Sequence, residues 1–448
     1  MLYSPKGMED AMPSGLTITT DWEHLEEGAT EERACFAAIG VCWNNIWLTE
    51  GRDAFVNIVR RAPYLSGYHL AEWIAWNWWR LRWEPRSTDQ EWVFAHCLSS
   101  IGGGYVWPNI TVFSDGERTA LIAKPTSERP NTPYRYINDA AAILAARDFE
   151  ATIDQFVETV RGKLRAEGVA NTNLDKLWND LTAERRDPVM AQRRKFEALL
   201  GRDPDEADEN VLQKLQEDSK DLGEAAMNEV AAHHDGENEV ITAETLNQKA
   251  QRNGFDASSR DSFHLKPGTG LPRTSDVAAW RLGAEAARAV REQARLGDDL
   301  ISDARLSEIA GVDKEALDEP PAESRIAFAL DKNANIGKIV FRSKWKTGRR
   351  FELARILGDR LIGGKRDRLF PVTRAYTYRQ KMQRSFAAEL LCPFEAVDKN
   401  LNGDFSEEAQ HEVSEHFKVS PLAIRTLLVN HGRVDREGLE KDFDIAVA

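Results

Sequence analysis

The chain has few cysteines and no long apolar run. Its 448 residues include four cysteines, Cys35, Cys42, Cys97 and Cys392, without a CxxC spacing. This pattern indicates neither a zinc ribbon nor a disulfide framework, so we expect reduced, buried thiols. No apolar stretch approaches the roughly 18 residues that span a bilayer. The first residues also lack the basic and apolar regions of a signal peptide. The sequence predicts a cytoplasmic protein without a membrane partner.

Common cofactor and catalytic motifs are missing as well. We find no G-x-S-x-G, Walker A or dinucleotide fingerprint, so we expect no cofactor. The segment DKNLNGDFSEEA, from Asp398 to Ala409, imitates a calcium-binding loop, but Ala409 stands where a bidentate glutamate is required. We therefore predict a turn that caps a helix starting near Ser406 rather than a metal site.

The charge is unevenly distributed. A formal net charge of −14 disfavours a general nucleic-acid coat, because phosphate backbones bind mainly to basic surface. The segment from Phe341 to Arg384 nevertheless holds fourteen basic and three acidic side chains, and so carries a net charge of +11. An acidic protein thus contains one strongly basic segment.

Length and local patterns predict an α+β protein of three parts. Residues 1–147 form a Trp-rich α+β domain, with a buried helix before Pro85 and a hairpin at Asp115-Gly116, where both turn residues are expected to have positive φ. Residues 148–270 are a charged helical region or connector. We place a boundary in the Pro- and Gly-rich stretch from Lys266 to Asp276, before a domain of residues 271–448.

Two segments of this last domain carry a family resemblance. GRRFELARILGDRLIGG, from Gly348 to Gly364, and RSFAAELLCP, from Arg384 to Pro393, resemble the central helices of the ImmA/IrrE metallopeptidase family. The resemblance extends from about Trp280 to Val434. It implies a mainly helical, zincin-like domain with a small sheet.

The family's metal-site positions hold other residues here. Where the first helix of the family carries His-Glu-x-x-His, this chain has Arg355, Ile356 and Asp359, and the register of the third ligand falls on Gln380. A guanidinium has no lone pair for a cation, and isoleucine cannot transfer a proton. The resemblance therefore implies a pseudoenzyme without a bound metal or catalytic residues.

The replaced positions allow two interpretations. Arg355 and Asp359, four residues apart on a helix, predict an ion pair across the former metal site. Alternatively, Arg349, Arg350, Arg355 and Arg379 face a common pocket that takes an anion, since the planar guanidinium forms two parallel hydrogen bonds with carboxylate or phosphate. With Asp359 and Arg384 added to these four arginines, the candidate anion-binding residues are Arg349, Arg350, Arg355, Asp359, Arg379 and Arg384.

The C-terminal helices offer another candidate surface. EEAQHEVSEHFKVSPLAIRTLLVNHG resembles a helix-turn-helix in which Lys418 replaces the common turn glycine. Arg425, Asn430 and His431 are then available to contact DNA. The peptidase family carries a similar closing pair as packing structure, so both readings remain open.

Function follows from the resemblance as an expectation. Family members act on helix-turn-helix repressors in stress and mobile-element control. The resemblance implies a prokaryotic regulatory or phage-defence-associated protein. Its partner is then a repressor-like or phage component, and a nucleotide or nucleic acid is a further candidate. The alternatives are a zinc-dependent peptidase with an atypical site, and a DNA-binding transcriptional regulator.

Overall fold

The chain divides into two compact units. A computed structural model describes residues 2–3, 15–87, 89–127, 133–234, 239–319, 323–333, 335–363 and 367–435. Met1–Ala207 form the first unit and Asp208–Ala448 the second. Helices and small sheets occur in both, which confirms the α+β class. Within these ranges, no helix is long and apolar enough to cross a membrane.

The first unit combines three small sheets with helices. Their strand orders are β1-β6-β5-β10, β11-β9-β8 and β2-β3-β4, with β7 paired to β3. The strands are β1 Leu2–Tyr3, β2 Leu16–Trp22, β3 Phe36–Trp43, β4 Ile46–Trp47, β5 Gly51–Asp53, β6 Ile58–Arg60, β7 Tyr64–Ser66, β8 Ile110–Ser114, β9 Arg118–Ala123, β10 Tyr134–Tyr136 and β11 Ala140–Ala145. The helices are α1 Thr30–Ala34, α2 Gly67–Trp83, α3 Gln90–His96, α4 Ala146–Ala166, α5 Asn173–Arg186 and α6 Pro188–Leu199.

The tryptophan-rich helix α2 lies in the core of this unit. The Ser66 side chain caps it by accepting a hydrogen bond from the His69 amide, and it ends before Pro85 as predicted. Trp78 and Trp79 are buried, whereas Trp76 is 61% exposed. The predicted burial is therefore confirmed for most of the helix, with Trp76 as an exception.

The hairpin at Asp115-Gly116 forms with a different turn. Strands β8 and β9 pair on either side of it, but only Gly116 has a positive φ, of 101°. The Asp115 carboxylate accepts hydrogen bonds from the amides of Glu117 and Arg118 at 3.2 and 2.9 Å. This local side-chain bonding fixes the turn without positive φ at Asp115.

The predicted connector is divided between the two units. Helix α4 places Phe149, Ile153 and Phe156 in the core that surrounds α2, and α5 and α6 join the same core. At the other end of the connector, β12 (Phe255–Ala257) pairs with a strand of the second unit. The two units divide at 207/208, within the predicted connector, and helices of this charged region such as α4 bury one apolar face.

The second unit surrounds one antiparallel sheet of order β12-β14-β13-β15. Its further strands are β13 Ala327–Asn333, β14 Ile336–Val340 and β15 Leu369–Val372. The helices are α7 Glu209–Leu222, α8 Glu224–Ala231, α9 Ala243–Asn253, α10 Ala279–Gln293, α11 Asp303–Ala310, α12 Lys346–Ile362, α13 Tyr378–Leu391, α14 Phe394–Leu401, α15 Glu407–Phe417 and α16 Pro421–Asn430.

Helices α10, α12 and α13 pack closely because glycines stand at their crossings. A Cβ atom at Gly283 of α10 would collide with the carbonyl oxygen of Met382 on α13. One at Gly358 of α12 would lie 2.6 Å from the Phe386 ring. Only glycine permits such close approach. The two helices that carry the family-like motifs are thereby held against each other.

The closing helices follow the predicted turns. Lys418 adopts the left-handed conformation between α15 and α16, with φ of 53°. Asn402 ends α14 in the same conformation, and the Ser406 side chain caps α15 through the Ala409 amide. The turn and helix cap expected around Ser406 are confirmed.

Candidate functional site

The first and third metal-ligand positions of the resemblance meet in the structure. Arg355 on α12 donates from Nη2 to Oε1 of Gln380 on α13 at 2.6 Å, and to the Thr373 carbonyl at 2.9 Å. The Gln380 amide also donates to the Pro371 carbonyl at 3.0 Å. A glutamate at this position has no N–H for that carbonyl, so glutamine suits the site as both acceptor and donor.

The predicted ion pair between Arg355 and Asp359 is replaced by another. Arg379 of α13 donates two hydrogen bonds to the Asp359 carboxylate, at 2.7 and 2.8 Å, and a third to Asp367 at 2.8 Å. Asp359 is fully buried. The bidentate geometry available to Arg379 across the helix interface explains why it, rather than Arg355, neutralises Asp359.

A further buried carboxylate lies beside this pair. Glu229 of α8 accepts a hydrogen bond from the Thr377 hydroxyl at 2.5 Å. Burial raises the pKa of Glu229, although the charge of Arg379 opposes the shift. Burial likewise raises the pKa of Asp367 against the attraction of Arg379. Three carboxylates thus share one guanidinium, which makes Arg379 a structural residue.

Arg349 and Arg350 do not face the anticipated pocket. Arg349 donates to the carbonyl oxygens of Leu317 and Lys344, at 2.8 to 3.0 Å. Arg350 is buried and binds Asp303 and the Ile301 carbonyl. The expected common pocket of Arg349, Arg350, Arg355 and Arg379 is thus corrected. Arg349, Arg350 and Arg379 instead bind backbone oxygens and carboxylates. These acceptors come near only in the tertiary structure.

Carboxylates elsewhere in the unit offset part of the basic segment. Asp331 accepts from Arg360 at 2.5 Å, Lys346 pairs with Asp303 at 2.7 Å, and Arg368 pairs with Asp221. These acids belong to other elements than the arginine-rich helices. Two members of the segment, Lys365 and Arg366, lie outside the described residues.

A cavity of about 540 Å³ opens beside Arg355. Helices α10, α12, α13 and α16 and the segment after β15 form its walls. Its basic side chains are Arg355, Arg374, Lys381 and Arg384, and its described lining contains no acidic residue. The remaining lining residues are Trp280, Phe351, Ser385, Ala388, Ser420, Leu422, Ala423, Thr426, Leu427 and Asn430.

Arg355 is the most constrained of the four cations. It is 8% exposed, and its Nε atom has no hydrogen-bond partner within the described part of the chain. Burial, reinforced by the like charge of Arg384, lowers the pKa of Arg355 well below its ordinary value. The charges of Glu352 and Asp359 oppose this shift, and the Glu352 carboxylate also accepts hydrogen bonds from the backbone amides of Arg342 and Ser343. An anion bound in the cavity favours the charged form of Arg355 and so opposes the effects of burial and of the like charge of Arg384.

Helix α16 adds a favourable field at the same cavity. Ser420 caps this ten-residue helix, and the lining includes Ser420, Leu422 and Ala423 from its first turn. The first helical residue, Pro421, has no N–H, and the Ala423 amide donates to Ser420, so the helix acts here through the partial positive charge of its N-terminus, which favours anions. The cavity therefore combines side-chain and backbone electrostatics of one sign.

Sequence reasoning identified Arg355 and Arg384 but missed Arg374 and Lys381. One signal was present: Lys381, Arg384, Ser385 and Ala388 recur at the spacing of one face of α13. Arg374 is exposed on the segment that follows β15, and its place depends on tertiary structure.

The candidate DNA-contacting residues lie in mixed surroundings. Arg425 is half-buried, 3.6 Å from Glu407. Asn430 lines the cavity, and the His431 ring stacks on Phe394 with centroids 3.6 Å apart. The structure does not bring the three together on one exposed helix face.

The residues present do not fit a catalytic metal. Arg355, Ile356 and Gln380 provide no imidazole or carboxylate, and Asp359 is occupied by Arg379. No group of three or more His, Cys, Asp or Glu side chains suited to a metal occurs in the described ranges. In comparisons with known proteins, no family model, curated protein or solved structure matches this chain.

Proposed function

We propose that the second unit is a regulatory ligand-binding module that takes an anionic group in the cavity beside Arg355, without peptidase chemistry. On this proposal the chain derives from an ImmA/IrrE-like peptidase and acts in the cytoplasm in regulation or phage defence. The anionic group belongs to a small ligand or to an acidic protein partner. The observation that carries the proposal is the buried Arg355, which has no hydrogen bond to a carboxylate among the residues that the structure describes.

This arrangement is costly for the protein without a ligand. Burying a cation without a counter-ion is unfavourable, and buried charges are ordinarily paired. Arg379, two residues before the cavity-lining Lys381 on α13, is paired in this way and contacts two carboxylates. Arg355 has no carboxylate partner among the described residues, and an anion bound from outside the chain would supply one.

Titration calorimetry of the full chain with inorganic phosphate tests anion binding. We expect saturable binding that weakens by about tenfold or more in Arg355→Met and Arg384→Met, since hydrogen bonds to charged groups contribute about 1.5–3 kcal/mol. Arg252→Gln, an exposed arginine on α9, serves as the matched control and keeps the wild-type affinity. Equal affinity in all four proteins contradicts the proposal.

A metal assay addresses the peptidase alternative. We expect the purified protein to hold no stoichiometric zinc and to leave a helix-turn-helix repressor uncleaved. Stoichiometric zinc together with cleavage that Asp359→Ala abolishes would establish the peptidase and reject the proposal.

A further inference from the structure

The cavity beside Arg355 is elongated as well as basic. Its lining runs along α16 from Ser420 to Asn430, a length of about 15 Å at 1.5 Å per residue. A volume of about 540 Å³ falls within the range of small-molecule sites and exceeds the needs of one inorganic anion. A ligand that fills the cavity therefore has a second part beyond its charged group.

The second part must suit an apolar wall. Trp280, Phe351 and Leu427 line the cavity alongside the cations. The Ser385 hydroxyl donates to the backbone carbonyl of Trp280 at 2.6 Å, the His431 ring meets the indole edge-on at 5.8 Å, and the Arg281 guanidinium lies over the indole at 5.7 Å. A half-buried indole offers a stacking surface.

One polar group lies near this apolar wall. The Oδ1 atom of Asn430 is buried and has no hydrogen-bond partner among the described residues. Asn430 precedes His431, which contacts Trp280. An amide oxygen without a partner can accept a hydrogen bond from an N–H or O–H of a ligand. Asn430 therefore suits the polar edge of a ring that stacks on Trp280.

The basic side chains of the cavity suit a ligand group with two negative charges. Four cations line the cavity, and the N-terminus of α16 adds its dipole. A carboxylate carries one negative charge, whereas a phosphate monoester carries about −1.5 to −2 near neutral pH. A phosphate monoester therefore offers these side chains more negative charge than a carboxylate does.

We propose that the cavity binds a small phosphate ester with a flat aromatic group, the class to which nucleoside monophosphates belong. This inference rests on the proposed function and names its ligand class. The phosphate meets Arg355 and Arg384, the ring stacks on Trp280, and Asn430 pairs with the ring edge.

Calorimetric titration of the full chain with AMP, GMP, CMP, UMP, the matching nucleosides and inorganic phosphate tests the inference. At least one monophosphate is expected to bind about tenfold more tightly than phosphate, the lower end of the contribution of one stacked base. Its nucleoside binds more weakly than the monophosphate.

Variants assign the two ends of the ligand. Trp280→Ala is expected to remove the advantage of the nucleotide over phosphate, while Trp280→Phe, which keeps a ring, retains most of it. Arg384→Met weakens nucleotide and phosphate alike, and Arg252→Gln changes neither. Unfolding midpoints of each variant identify any that fail to fold, and Trp280→Phe then carries the test.

The outcomes separate the two proposals. If phosphate binds and no monophosphate binds more tightly, the ligand class is rejected while anion binding stands. If neither phosphate nor any monophosphate binds, both are rejected. If nucleosides bind as tightly as their monophosphates, the assignment of the basic wall to the phosphate is overturned.

Discussion

Arg355 and Arg379 are two buried arginines with opposite electrostatic surroundings. Arg379 contacts Asp359 and Asp367 directly, and their charges raise its pKa above the ordinary arginine value. Arg355 contacts a carbonyl and an amide oxygen, and burial lowers its pKa. The first arrangement is that of a structural ion pair. The second leaves a buried guanidinium without a contacting carboxylate among the described residues.

This contrast predicts that replacing each arginine by methionine changes the free energy of unfolding by different amounts. Arg379→Met is expected to lower the free energy of unfolding by about 3–5 kcal/mol, because it leaves carboxylates buried without a cation. Arg355→Met is expected to change it by less than about 1 kcal/mol, since an apolar side chain replaces an unpaired buried charge. Urea denaturation of both variants measures the difference. An equal loss for the two variants would argue that Arg355 is structural.

Glu229 predicts a dependence of stability on pH. Because burial raises its pKa in the folded state, its contribution to stability is present below the unfolded value near 4.5 and is lost as pH rises through the folded value. Glu229→Gln cannot ionise. The stability of the variant relative to the wild type should therefore increase between pH 5 and pH 8. Urea denaturation at both pH values measures this change, and parallel pH profiles would refute the assignment.

At the scale of elements, close helix packing positions the site. Gly283 lets α10 approach α13, and a methyl group there meets the backbone of Met382 and Phe386. We expect Gly283→Ala to lower the free energy of unfolding by about 1–3 kcal/mol through overpacking. Gly162→Ala on α4, where the nearest atom lies 4.0 Å away, should be neutral or stabilising by up to about 1 kcal/mol. Thermal or urea unfolding compares them, and similar effects would show that the crossing is not tightly packed.

Helix α2 provides a matched pair of tryptophans. Trp78 is buried, with Trp178 edge-on at 6.1 Å and Arg185 over its ring at 4.3 Å. We expect Trp78→Ala to lower the free energy of unfolding by about 3–5 kcal/mol. Trp76→Ala should change it by no more than about 0.5 kcal/mol, because Trp76 is exposed. Chemical denaturation measures both. A large loss for Trp76→Ala would mean that this indole is covered in solution.

At the scale of the whole molecule, a basic cavity exists in a chain with a net charge of −14. The local arrangement of charges, rather than the total, determines the potential inside a cleft with low-dielectric walls. Carboxylates from distant positions, such as Asp221 and Asp303, pair with Arg368 and Arg350 of the basic segment. The cavity keeps its positive sign because no acidic residue occurs in its described lining.

Local patterns predicted elements better than partners. The hairpin at Gly116, the helix ending before Pro85 and the cap at Ser406 follow from backbone chemistry within a few residues. The partners of Arg349 and Arg350, at Leu317 and Asp303, are more than thirty residues away. No local signal indicates such contacts.

The most direct test of the account is whether an anion reaches Arg355. In protein labelled with ¹⁵N-arginine, the Nε–H resonances of Arg355 and Arg384 can be assigned by Arg355→Lys and Arg384→Lys and followed during titration with phosphate. Because Nε of Arg355 has no acceptor in the described part of the chain, we expect both resonances to shift and saturate together, while that of Arg252 does not move. If phosphate leaves the Arg355 resonance unchanged, the cavity is not an anion site and the account is contradicted.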